Sequence, residues 1–102
     1  MTQWIDTGAL DAIDDEDVMR FDHAGHTYAI YRVDGHVYAS DGRCTHEHVH
    51  LADGLVMAHV IECPKHNGRF DIRDGRPLSA PVCEKLRTYP AKVEGGRILI
   101  EV

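Results

Sequence analysis

Three glycine-bearing turn signals, Asp34-Gly35, Asp74-Gly75 and Glu94-Gly95-Gly96, cut this chain into short pieces. Each is flanked by residues that favour extended backbone. "HTYAIYRV" (His26–Val33) and "HVYAS" (His36–Ser40) bracket Asp34-Gly35, the dipeptide suited to a two-residue type I′ hairpin. "KLRTYPAKV" and "RILIEV" bracket the 94–96 turn in the same way, and Pro90 belongs at an edge or bulge because it cannot donate to a ladder. "LVMAHVIEC" (Leu55–Cys63) is rich in β-formers, and "GRFDIR" (Gly68–Arg73) leads into Asp74-Gly75. Short strands with regular turns predict an all-β fold, an antiparallel β-sandwich or barrel. The stretch from about Asp41 to Pro81 is loop-rich and reads as an insertion mounted on that scaffold. With 102 residues the expectation is one domain, 1–102.

Composition removes several function classes. The formal charge of −6 argues against nucleic acid, whose phosphates require a basic footprint. No apolar run approaches the ~18 residues of a membrane span, and "MTQWIDTGAL" lacks a basic-then-apolar leader, so a cytoplasmic protein is expected. Three cysteines, at 44, 63 and 83, suit metal ligands or thiols better than a disulfide framework. Five acids crowd the segment Asp11–Asp17. They read as a solvated acidic turn, with a docking patch for a basic partner as the alternative.

The chemistry is concentrated in two short pairs, Cys44-Thr45-His46 and Cys63-Pro64-Lys65-His66, separated by 16 residues. Each offers one thiolate and one imidazole, donors for iron or zinc. Structural zinc sites usually pair ligands as C-x₂₋₄-C or H-x₃₋₅-H. The single-residue spacer between Cys44 and His46 is tight for two ligands on one tetrahedral ion, and a binuclear centre fits better. His48 and His50 follow in "HVHLADG" and read as exposed loop residues that tune the site or meet a partner. An H-x-H pair is also found in cupins, but "LADGL" lacks the glutamate those enzymes need, and the chain is too short for a metallo-β-lactamase. Cys83 reads as a small structural residue or thiol; Lys65 and Arg69 as solvated side chains or as steering charges for an acidic partner. His23, His26, His36 and His59 carry no pairing signal, and Trp4 reads as core or sheet-edge packing.

C-x-H, 16 residues, then C-x-x-H, with Pro64 after the second cysteine and Phe70-Asp71 beyond it, resembles the Rieske [2Fe–2S] proteins. "CPKHNGRFD" is similar to their second cluster loop, "PLSAP" to the proline-containing loop over the cluster, and "LRTYPAKVEGGRILI" to their closing hairpin. The resemblance implies one Rieske-type [2Fe–2S] cluster, with Cys44 and Cys63 on the inner iron and His46 and His66 on the outer iron. Respiratory-type members bridge their loops with a disulfide, but this chain has Val49 and Lys65 at those positions. They also place serine and tyrosine hydroxyls near the sulfurs, where this chain has Gly68 and Phe70. Fewer donors imply a potential at the bottom of the range, roughly −150 mV.

This pattern resembles the small ferredoxins of bacterial ring-hydroxylating oxygenase systems. The implied role is that of a monomeric one-electron carrier, not an enzyme in itself. It would run between a flavin-dependent reductase and a terminal oxygenase, through exposed His46 and His66. The alternative is a non-redox zinc-binding or interaction module on the same fold.

Overall fold

The computed structural model describes residues 2–45, 48–65, 67–80 and 84–102. They form eleven strands: β1 (Trp4–Ala9), β2 (Asp17–His23), β3 (His26–Val33), β4 (His36–Asp41), β5 (Leu55–Met57), β6 (Val60–Glu62), β7 (Arg69–Asp71), β8 (Pro77–Ser79), β9 (Thr88–Tyr89), β10 (Ala91–Glu94) and β11 (Arg97–Glu101). There is no α-helix among the described residues, only 3₁₀ turns at Leu10–Ala12 and Leu51–Asp53. The expected all-β antiparallel class is what forms. Three sheets result, in the orders β1-β11-β10, β2-β3-β4-β9 and β5-β6-β7-β8. The first two build the scaffold, and the third falls entirely in the chain between β4 and β9.

Strand β3 is the wall between two cores. Ala29, Tyr31 and Val33 face one, with Leu51, Ile61, Phe70, Ile72, Leu86 and both Cys44 and Cys63. Tyr28 and Ile30 face the other, with Ala39, Ile98 and Ile100. Both faces of β3 are buried, which is why "HTYAIYRV" shows no apolar–polar alternation. Arg32 is the one charge in this strand that must be accommodated. Its Nη1 donates to the carbonyls of Leu10 at 3.2 Å and Ile13 at 2.9 Å, tying the 10–13 segment over the second core.

The turns follow sequence chemistry where glycine is present and depart from it elsewhere. Asp34 and Gly35 both have positive φ (52° and 77°), as a type I′ turn requires, and Gly95 and Gly96 behave likewise. "LVMAHVIEC" is not one strand, however. It folds back at Ala58-His59, with Ala58 at φ 52°, to give the β5–β6 hairpin. Strands β1 and β2 carry no strong signal and are not anticipated from the sequence; β2 joins β3 through Ala24-Gly25, Ala24 again left-handed at φ 50°. Pro90 stands between β9, which pairs with β4, and β10, which pairs with β11. The chain changes sheets at Pro90, which has no N–H to give to either ladder, while its carbonyl still accepts from the Glu101 N–H at 2.9 Å.

The acidic segment does more than solvate a turn. The Asp15 carboxylate accepts from the Gly35 N–H at 3.3 Å, that of Glu16 from the Ala58 N–H at 2.6 Å, and that of Asp17 from the Val18 N–H at 2.7 Å. Trp4 lies on edge strand β1, 40% exposed, with the Lys92 ammonium 4.2 Å from its ring centroid.

Candidate metal centre

Cys44 follows β4 by three residues and Cys63 follows β6 directly, so each thiol is delivered by the end of a scaffold or insertion strand. The two loops close in the same way. The Cys44 N–H donates to the carbonyl of Val49 at 3.0 Å, and the Cys63 N–H donates to the carbonyl of Gly68 at 2.7 Å. Each loop therefore runs from a cysteine to a carbonyl five residues on. Asn67, with φ 56°, supplies the left-handed residue that lets the second loop turn back. The first loop is fastened further by the Arg43–His50 bridge and by the Leu51 N–H donating to Gly42 at 2.8 Å.

Both cysteines are buried, and both belong to the core that Phe70, Ile61 and Leu86 fill. A third segment closes over them. Leu86 is fully buried in the same core, its N–H donates to Gly75 at 2.9 Å, and the Thr45 hydroxyl donates to the Glu84 carbonyl at 3.1 Å. Three loops thus converge on two buried thiols.

His46 and His66, the other two sequence-derived ligands, lie outside the described residues, as do Glu47, Pro81 and Cys83. The described donors fit an iron–sulfur group. Two buried thiols meet in one core, on two like-built loops, each with a histidine close by in sequence. His48 is exposed as expected, but His50 is not a free loop residue. Its backbone pairs with Arg43, and its half-buried ring leaves Nδ1 enclosed without a hydrogen-bond partner. Lys65 is exposed, and the Arg69 guanidinium is held by Glu62 at 2.8 Å.

One constellation was invisible in the sequence. The Asp41 carboxylate accepts on one oxygen both the Tyr89 hydroxyl at 2.6 Å and His26 Nε2 at 2.7 Å. His26, Tyr28 and Tyr89 pack their rings around it, with centroid separations of 4.5 to 6.4 Å. Burial, and then the adjacent Asp41 charge, push the Tyr89 hydroxyl well above the ordinary tyrosine range. Behind it the fully buried Tyr31 hydroxyl meets Ser40 Oγ at 2.8 Å, and Ser40 donates on to the Asp41 carbonyl at 2.9 Å. This network fixes the end of β4 from which the first loop departs. His26 lies 15 residues from Asp41 in the chain, and only the β3–β4 register joins them.

Known proteins give the same answer. The Rieske [2Fe-2S] domain family matches residues 3–90. The ferredoxin component of a naphthalene 1,2-dioxygenase system from Pseudomonas aeruginosa is 44% identical over 100 residues, covering 98% of this chain and 96% of its own. A ferredoxin of Sphingomonas yanoikuyae B1 superposes with a TM-score of 0.92 at 31% identity, over 98% of this chain and 99% of that one. A chain from the complex of reduced oxygenase and oxidized ferredoxin in carbazole 1,9a-dioxygenase superposes at 0.91, also 31% identical, over 95% and 91% of the two chains. Fold, buried thiols and relatives agree: the chain belongs to the Rieske [2Fe–2S] family, on its ferredoxin side, and is a carrier of one such cluster.

Proposed function

We propose that this protein carries single electrons from a flavin-dependent reductase to the terminal component of an aromatic-ring-hydroxylating oxygenase. We assign Cys44, His46, Cys63 and His66 as the ligands of its cluster. The observation that carries the reading is the paired loop construction, in which two buried cysteines each close a five-residue return onto a backbone carbonyl. Ferredoxin components of dioxygenase systems among the relatives, and a neighbour described as an oxygenase–ferredoxin complex, support the choice of partner class. A Rieske cluster supplies a one-electron couple, with potentials of about −150 to +300 mV across the type.

The protein's own residues make that couple usable. The Cys44 and Cys63 amides are spent within their loops, which fixes loop shape; rigid loops keep reorganisation small when charge arrives. Phe70, fully buried against both cysteines' core, contributes no hydroxyl to a sulfur, which favours a low potential. No helix of the described residues is long and apolar enough to cross a membrane. We propose a small cytoplasmic, monomeric shuttle. In this reading residues 1–102 act as one Rieske domain, with the cluster-bearing insertion at about 41–81.

Colour and electron paramagnetic resonance test the assignment. The purified protein should be red-brown, and its reduced form should give the spectrum of a mixed histidine–cysteine centre. A colourless protein with stoichiometric zinc would overturn the carrier reading. Replacing His46→Cys or His66→Cys should move the absorption and potential towards an all-thiolate centre; an unmoved spectrum would show that the ligands are others.

A further inference from the structure

Charge is distributed unevenly over this molecule. Residues 64–88 carry six bases and three acids, a net of +3, while the remaining residues net −9. Two of those bases, Arg73 and Arg76, meet in the turn that links β7 to β8. Asp71, whose side chain is only 6% exposed, receives Arg73 Nε at 3.0 Å and Nη2 at 2.8 Å, and Arg76 Nη2 at 3.5 Å. The two guanidinium side chains are themselves 56% and 61% exposed. One buried carboxylate therefore orients two outward arginines, Asp74 beside Arg73 offsets the second of them, and the surplus positive charge of the face is Arg87. Nearby, Asp74 is engaged with the Arg76 backbone N–H at 2.9 Å, and the exposed Arg87 lies over the Tyr89 ring at 5.1 Å.

The backbone beneath these arginines is pinned. Asp71 exchanges hydrogen bonds with Arg76 and Gly75 at 2.9 and 2.7 Å, Ile72 donates to His59 at 2.8 Å, and Leu86 donates to Gly75 at 2.9 Å. Arg73 also stands at the rim of a groove of about 360 Å³, walled by Tyr38, Ile72, Thr88 and Tyr89. A glutamate or aspartate projecting from another protein can rest its methylenes on the Tyr38 ring while its carboxylate meets Arg73. Arginines already held in place lose little side-chain freedom on binding. The strongly negative remainder of the molecule would repel an acidic partner everywhere else, so attraction at this one face also sets orientation.

We infer that the Arg73–Arg76–Arg87 face docks an acidic surface of the terminal oxygenase, an inference that rests on the electron-carrier reading above. The probe is the purified oxygenase component of a naphthalene 1,2-dioxygenase system, bound to the cluster-loaded protein at about 0.01 M and about 0.15 M ionic strength. Across that range the Debye length falls from roughly 30 Å to 8 Å. The double variant Arg76→Gln/Arg87→Gln leaves the Arg73–Asp71 pair intact and so keeps the fold. It should bind about tenfold more weakly than the parent at low ionic strength and nearly like it at high, with an unchanged resonance spectrum and potential. Adding Arg73→Gln should deepen the loss. Arg97→Gln, which removes an exposed charge paired with Asp6 on the other sheet, should bind like the parent. Binding of the double variant within twofold of the parent at low ionic strength would overturn the docking face, as would an equal loss in Arg97→Gln. A parent that dithionite reduces but that passes no electron to the oxygenase would instead overturn the functional reading, and the docking face with it.

Discussion

The Glu16 carboxylate accepts a hydrogen bond from the backbone N–H of Ala58 at 2.6 Å, and both residues hold left-handed backbone, at φ 56° and 52°. Non-glycine residues pay roughly 1–2 kcal/mol for that conformation. The bond joins the scaffold, just before β2, to the tip of the β5–β6 hairpin in the inserted sheet. The same hairpin is held by the edge-on contact of His59 with Tyr38, centroids 5.9 Å apart, and by the Ile72 N–H on the His59 carbonyl. Glu16 thus ties the inserted sheet to its base.

Replacing Glu16→Ala should cost about 1 kcal/mol, less than a buried charged hydrogen bond because the pair is exposed. Glu16→Gln, which retains an acceptor, should cost less than half of that. Urea unfolding gives the energies, and amide exchange at Ala58 gives the mechanism. If Ala58 exchanges as slowly in Glu16→Ala as in the parent, the bond is not what holds the hairpin.

Legibility in the sequence tracked turn chemistry. The Asp34-Gly35 and Glu94-Gly95-Gly96 hairpins were readable because glycine at positive φ has no competing explanation. The Ala24-Gly25 and Ala58-His59 turns were not, because alanine enters the left-handed region only when tertiary contacts compel it, and Glu16 is 42 residues from Ala58. Strands of three residues, as in all of β5–β8, are too short to express a period of two, so the insertion reads as loop-rich with "LVMAHVIEC" and "GRFDIR" as its only extended stretches.

Of the proposed ligands, Cys44 and Cys63 can be singled out from the sequence because each has a histidine two or three residues on and glycine-bearing turns beyond. Their convergence in one core is in keeping with that reading. His26 and the Asp71 arginines were not legible, because their meaning lies in cross-strand register and in a turn that folds back on its own strand. His50 was misread as exposed because nothing local announces its backbone bridge to Arg43.

Gly75→Ala should be among the most destabilising single changes available. Its φ is 79°, and an added methyl would stand 1.8 Å from the Leu86 carbonyl oxygen and 2.9 Å from that carbonyl carbon. Neither is a flexible side-chain end, so the 84–87 segment must move away from the thiols it covers. A loss of about 3 kcal/mol or more is expected. Thermal unfolding of the cluster-loaded protein measures it, and a midpoint within a degree or two of the parent would contradict the close packing described.

Stability should fall at both ends of the pH scale for identifiable reasons. Arg73 beside Asp71 holds that carboxyl below its ordinary value of 3.8, so the folded state binds fewer protons there than the unfolded chain. The contribution is present above about pH 4 and is lost as pH drops through the depressed folded value. Burial pushes the Tyr31 hydroxyl far above its ordinary 10.0, and Tyr89 is raised too, so here the folded state binds more protons. That contribution is complete below about pH 10 and is lost as pH rises through the raised folded values. Urea midpoints across pH should therefore show an acid limb that Asp71→Asn flattens and an alkaline limb that Tyr31→Phe flattens. Unchanged limbs in these variants would assign the pH dependence to other groups.

Phe70→Tyr tests whether the chain's low expected potential has a local cause. Phe70 is fully buried, pairs with Ile61 on β6, and shares the core of Cys44 and Cys63. A hydroxyl added there must find an acceptor or cost about 1–3 kcal/mol in stability. A sulfur of the centre is one such acceptor, and a donor to it stabilises the more negative, reduced state. A charge-assisted bond of about 1.5 kcal/mol corresponds, for one electron, to an upward shift of about 60 mV. Protein-film voltammetry reads the potential and urea unfolding reads the stability of the same variant. A raised potential with stability intact places the hydroxyl on the sulfur; an unshifted potential with lost stability means that the new oxygen is stranded, and that Gly68 or the solvent boundary sets the potential instead.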